Sequence, residues 1–194
     1  VYHFDDPNRI QYAGSFFSNR KILLEEYPGK DEIDDGRLDR VEERDMLDDI
    51  FWLFPSKLID DIGFYSENFF LYCEQADFAL RAVKNGYRLF FNPFAKLWHK
   101  GSLTTGGGNR FAPAVNYWRK KSSVIFLFRN IRITDFILIH IKRLGFSIIK
   151  NGMNYLGLRH TEDSRSDYAG LMGYLHGMGW VFNQKPDDGK NPFK

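Results

Sequence analysis

The sequence predicts an α/β chain that gives way to amphipathic helices, and three observations carry that prediction. Short apolar runs bounded by turn residues, at 1–4 and 87–91, have the length and flanks of strands. Within residues 75–85, Phe78, Ala79, Ala82 and Val83 fall on one face at helical spacing. From residue 113 to 150 the pattern turns helical and basic.

Taken in order, VYHF at 1–4 reads as a strand, and Asp5-Asp6-Pro7-Asn8 after it is a strong turn signal. A second extended piece covers 10–17, where Gly14 hints at a bulge or a close backbone approach. Residues 29–49 are acidic and polar, are broken by Gly29 and Gly36, and read as a surface loop. The IFWLF run at 50–54 is a short buried strand or the lining of a pocket. Pro55-Ser56 starts a helix over 57–62, which Gly63 stops. A second helix covers 75–85 and stops at Gly86, and the strand at 87–91 ends at Asn92-Pro93.

GSLTTGGGN at 101–109 reads as a flexible loop or linker, without the lysine-threonine ending of a P-loop. In the helical region after Pro113, Ile137, Ile141, Leu144 and Ile148 make an apolar stripe, while Lys142, Arg143 and Lys150 lie elsewhere around the helix. Such a helix suits a membrane surface or packing on its own domain. Residues 152–165 read as a polar connector, 167–182 as a last helix rich in Gly and aromatics, and 183–194 as a disordered tail. No longer period recurs, which excludes a repeat protein.

Length and composition bound the function. A chain of 194 residues buries one sizeable core, with little room for a second full domain. An aromatic share of 17% with 19 Phe leaves rings over for stacking on sugars or anchoring at a membrane interface. Cys73 is the lone cysteine, so no internal disulfide forms and a reducing compartment is expected. The chain opens on Val1 with no secretion signal and reads as part of something longer; no uncharged apolar run approaches the ~20 residues of a membrane span. Residues 1–100 hold 13 Lys/Arg against 19 Asp/Glu, whereas 101–194 hold 14 against 6. The basic part therefore expects an anionic partner: lipid headgroups, nucleotide phosphates or nucleic acid.

Chemistry concentrates in residues 67–100. Read by themselves, Glu74, Asp77 and His99 make an oxygen-and-nitrogen set for a hard divalent ion. The same acids also suit a first helical turn, where the macrodipole favours them, and a Trp-His pair after a strand can be plain core.

The run FFLYCEQADFALRAVKNGYRLFFNPFAKLWHK at 69–100 resembles the second half of family 2 glycosyltransferases, closest to their rhamnosyltransferase and galactofuranosyltransferase-like members. DDPNRIQYAG at 5–14, KLIDDIGFYSENFF at 57–70, LTTGG at 103–107 and YWRKK at 117–121 resemble further segments of that family in the same order. The resemblance implies a GT-A (Rossmann-like) fold, a nucleotide-sugar donor, a divalent ion (Mn²⁺ or Mg²⁺) on the donor diphosphate, and inversion driven by a carboxylate base. It makes His99 a metal ligand and Asp77 a positioning acid, and puts Trp52, Phe69 and Phe70 on the acceptor side. Two departures stand out. The family's base position holds Gln75, whose amide takes no proton at physiological pH, which leaves Glu74. The Asp-x-Asp metal motif and the nucleotide-binding strands of the family's first half are missing, and Asp48-Asp49 stands where many relatives have a small residue and Gly.

The resulting expectation is an acceptor-side GT-A part at 1–110, a basic amphipathic helical region at 111–182 and a tail at 183–194. Its partners are a nucleotide-sugar donor, a growing cell-surface glycan or lipid-linked acceptor, and an anionic membrane surface. The metal is expected only with the donor half present, and the location is cytoplasmic, peripheral on the inner face of the cell membrane. The alternative is a catalytically impaired binding or membrane-docking module. Nucleic acid is not expected, for want of a reader motif and because acids dominate the other half.

Overall fold

The structure, a computed structural model, describes residues 1–101, 112–157 and 164–193. Its contacts divide the chain into two units: residues 1–65 with the chain from 75 to 101, and residues 66–74 with the described chain from 112 on. The Gly-rich stretch expected at 101–109 lies outside the described residues except for Gly101.

The first unit is mixed α/β. Its strands are β1 (Tyr2–His3), β2 (Phe16–Asn19), β3 (Leu24–Glu26), β4 (Glu42–Arg44), β5 (Leu89–Phe91) and β6 (Trp98–His99). They pair two by two: β1 parallel with β6, β2 antiparallel with β3, and β4 antiparallel with β5. Two helices stand between β4 and β5, α1 (Lys57–Ile62) and α2 (Glu74–Lys84). Both end on glycine in the left-handed region, as their sequence stops predicted: Gly63 at φ 71° and Gly86 at φ 88°. Leu58 of α1 and Phe78 and Ala82 of α2 form the core, and Trp52, Phe54, Tyr65 and Tyr87 pack around it.

One open reading is decided here and one expectation changes. Residues 50–54 form no strand but line a cavity, the second of the two options; Trp52 stacks on Phe78 at 5.4 Å and Phe54 leans on the same ring at 5.6 Å. The surface loop expected at 29–49 contains β4, whose Arg44 is only 3% exposed. The Arg44 guanidinium lies over the rings of Phe16 and Phe91, at 4.7 and 5.1 Å, and donates to the Ala13 carbonyl at 3.0 Å. Gly14 makes room for it: a Cβ there would sit 2.5 Å from Arg44 Cγ. The close approach expected at Gly14 is thus to a side chain.

The second unit is helical: α3 (Pro113–Asn130), α4 (Ile133–Tyr155) and α5 (Ser164–Asn183). Pro113 opens α3, where its missing N–H costs no hydrogen bond. Glycines let α5 lie against α3: a Cβ on Gly173 would fall 2.2 Å from the Tyr117 carbonyl oxygen, and one on Gly177 2.9 Å from that of Lys121. Tyr117, Trp118 and Ala169 are buried where these helices meet. No described helix is long and apolar enough to cross a membrane.

Two expectations change in this unit, those for 152–165 and 183–194, and the apolar stripe of α4, left open between a membrane surface and packing on its own domain, is placed. The connector expected at 152–165 is helical at both ends, since α4 runs through Tyr155 and α5 starts at Ser164; residues 158–163 lie outside the described residues. The apolar stripe of α4 faces outward, with Ile137, Ile141 and Ile148 between 49% and 67% exposed. What α4 buries is Phe136 and His140, because Tyr174 of α5 hydrogen-bonds the imidazole and donates to the His140 carbonyl at 3.1 Å. The tail expected to be disordered at 183–194 is held down through residue 193. Asp187 pairs with Lys121 at 2.7 Å and its N–H donates to the Glu67 carbonyl at 2.8 Å, while Phe193 packs on Tyr117. Its buried carboxylate and ring compensate the order that its Gly and Pro content disfavours.

Candidate active site

Tyr72 and Cys73, just before α2, both have φ 68°. Side-chain-bearing residues in that region cost on the order of 1–3 kcal/mol each, and such strain collects where a backbone turn is needed for function. This turn leads into Glu74 and Gln75, the first two residues of α2. Both are half-buried. Gln75 Oε1 is buried with no hydrogen-bond donor among the described residues, so the fold itself does not satisfy that amide.

Asp77 serves the fold. It is 1% exposed and accepts from Arg81 Nε at 3.0 Å, one turn along α2. Arg81 in turn donates to the carbonyls of Ile62 and Phe64, which ties the end of α1 to α2. The acid predicted to position a substrate therefore positions an arginine.

His99 lies on β6, in register with His3 on β1. Its Nδ1 is 2.9 Å from Gln11 Oε1. A carbonyl oxygen only accepts, so Nδ1 carries the proton and Nε2 keeps the lone pair, the form in which imidazole binds a metal. Companions are lacking: among the described residues no group of three or more His, Cys, Asp or Glu could hold an ion. Glu74, Asp77 and His99 therefore do not form one centre. The described residues alone do not fit a divalent ion.

The aromatic residues predicted for the acceptor side separate. Phe69 is 8% exposed, a core residue of the helical unit. Phe70 is 55% exposed and leans on Trp118 at 4.8 Å. Trp52 belongs to the α/β unit, where it lines a cavity of about 400 Å³ with Phe54, Phe78, Tyr12 and Asp48. Its indole N–H is buried and has no acceptor among the described residues. An orphaned buried donor costs roughly 1–3 kcal/mol.

Asp48 is the ionisable group on this wall. Burial, reinforced by the Asp49 carboxylate beside it, pushes its carboxyl up to about 6. A carboxylate poised there takes protons near neutral pH. In the sequence Asp48 figures only as a departure from a family pattern. Its signal is local: two adjacent acids running straight into the apolar 50–54. Arg44 gives no such signal, because its partners come from three separate stretches of the chain.

The cavity can therefore offer an aromatic wall and one carboxylate to a polar ligand with flat apolar faces. Compared with known protein families, with characterised proteins and with solved structures, the chain matches none.

Proposed function

We propose that the chain is the acceptor-side part of an inverting glycosyltransferase of the family 2 type. It would act in a hexosyl or rhamnosyl transfer from a nucleotide-sugar donor to a growing cell-surface glycan or lipid-linked acceptor. The observation that carries the reading is the cavity beside α2, where Trp52 and Asp48 share one aromatic-walled volume. Sugar rings offer C–H faces to aromatic planes and hydroxyls to donors and acceptors, which is the chemistry this wall supplies. The order of motifs along residues 57–100 supports the reaction type and a GT-A arrangement.

In this reading a carboxylate takes the acceptor hydroxyl proton as that oxygen bonds to the anomeric carbon. The bond from this carbon to the donor diphosphate breaks, with inversion. Gln75 cannot serve as base, so the role falls to Glu74, with Asp48 the other carboxylate to test. The donor and its Mn²⁺ or Mg²⁺ enter with a donor-binding half, and His99 is the ligand this chain adds. The outward isoleucines of α4 and the cations near them fit attachment to the cytoplasmic face of an anionic membrane.

The test is sugar transfer by the full-length protein with Mn²⁺ and a broad panel of nucleotide sugars. Transfer that falls at least tenfold in Glu74→Gln or Asp48→Asn is expected; no transfer with any donor rejects the reading. Gln75 also favours a second reading, a catalytically impaired module that docks without turnover. Gln75→Asp separates the two: a rise in transfer above the parent marks a lost base, whereas a parent active without that change excludes the impaired module.

A further inference from the structure

We propose that the groove between α3, α4 and α5 is a binding site for phosphate groups. The groove has a volume of about 1030 Å³. Arg119 and Lys120 of α3 and Lys142, Arg143 and Lys150 of α4 line it. Among the described lining residues the acid that faces them is Asp167 of α5, and it is committed: Lys150 pairs with one oxygen and Asn154 donates to the other at 3.0 Å. Lys120, Lys142 and Arg143 have no carboxylate within ion-pair distance among the described residues.

Arg119, Lys120, Lys142 and Arg143 reach the surface, yet they converge on one concavity instead of spreading over a flat face. Partial burial, with Arg119, Arg143 and Lys150 close by, holds the Lys120 ammonium below the usual lysine range. The floor is buried, formed by His140 and Tyr174 hydrogen-bonded to each other. Like charges gathered in a concave place are stabilised when an anion joins them. A single phosphate carries about −1.5 to −2 at neutral pH, so three uncompensated cations outmatch one phosphate and suit two. Arg143 supplies the planar fork that grips phosphate oxygens in pairs, and the lysines act as point charges. The phosphates can belong to a soluble ester or to a lipid headgroup. The site rests on the helical unit's own residues and stands whether or not sugar transfer is found.

Calorimetric titration of the full chain with inorganic pyrophosphate tests it. Expected is saturable binding that weakens with added salt and falls about tenfold in Arg143→Gln and in Lys120→Gln, with Lys21→Gln as the unchanged control. These side chains are exposed, so circular dichroism and melting should match the parent in all three variants. No saturable binding, or binding indifferent to Arg143→Gln and Lys120→Gln, overturns the proposal. A second arm uses phosphatidylcholine vesicles with and without phosphatidic acid. Capture by the acidic vesicles that pyrophosphate reverses supports the site with a headgroup as its source, and pyrophosphate binding without capture supports it with a soluble ester. Capture that neither pyrophosphate nor Arg143→Gln diminishes overturns the groove as the lipid's seat.

Discussion

Replacing Asp77 by Asn would leave the Arg81 guanidinium beside a neutral amide in a site where the carboxylate is 1% exposed. Removing one partner of a buried pair costs about 3 kcal/mol or more, so Asp77→Asn should lower urea stability by that amount. The same substitution at a residue used only in chemistry would leave the urea midpoint unchanged. Two other residues set opposing pH dependences. Asp48 titrates at about 6 when folded against an ordinary 3.8, so the folded state keeps a proton that the unfolded state has lost, and stability falls as pH rises from about 4 to 6. Burial, with Arg143 nearby, holds His140 at about 4 against an ordinary 6.5, so the unfolded state takes the proton first and stability falls as pH drops through that range. Between pH 7 and pH 5 the wild type should gain about 1 kcal/mol relative to Asp48→Asn and lose about 2 kcal/mol relative to His140→Gln, read by denaturation at both pH values. None of these roles can be read from residue type. Asp77 and Glu74 look alike in the sequence; only the structure shows that Asp77 is buried against Arg81 while Glu74 is half-buried.

Helix identity was legible where the signal is local. The bounds of α1 match the expectation at both ends, although Ser56 makes no side-chain cap, and α2 begins one residue early; Gly63 and Gly86 act within a turn of themselves. The face a helix buries is not local. The period of the α4 stripe suits a core face and a membrane-facing one alike; its isoleucines point out and His140 points in, because α5 offers Tyr174 at that level. Ile141→Glu should therefore change stability by less than about 0.5 kcal/mol while reducing capture on anionic vesicles several-fold in a flotation assay. Unchanged capture would remove α4 from the membrane reading. The Gly content of α5, a weakness for a lone helix, becomes the reason it can approach α3. Gly173→Ala puts a methyl group into the Tyr117 carbonyl and should cost about 2 kcal/mol or more, seen as a lower melting temperature. Gly179→Ala, whose added carbon meets nothing, should be neutral or slightly stabilising.

Across the whole molecule, charge and architecture divide together: the acid-rich residues 1–100 supply most of the α/β unit, and the basic residues beyond them supply the helices. The C-terminal residues close the helical unit. Deleting 184–194 would strip Lys121 of its Asp187 partner and Tyr117 of Phe193, and melting should shift down by several degrees, with Asp187→Ala alone giving a large part of it. A melting curve unmoved by the deletion would return these residues to the status of a loose tail. What the sequence by itself determined is the α/β class, the two short helices with their glycine stops and the helical basic region. These are written in neighbours within a turn or two, where backbone preference and side-chain period act. Tertiary structure alone decided that Asp77 is buried against Arg81, that Arg44 is buried under Gly14, that His99 is set by Gln11 from the other end of its unit, and that five cations share one groove. Each of those rests on burial or on distances between residues far apart in the chain, which exist only once the chain is folded.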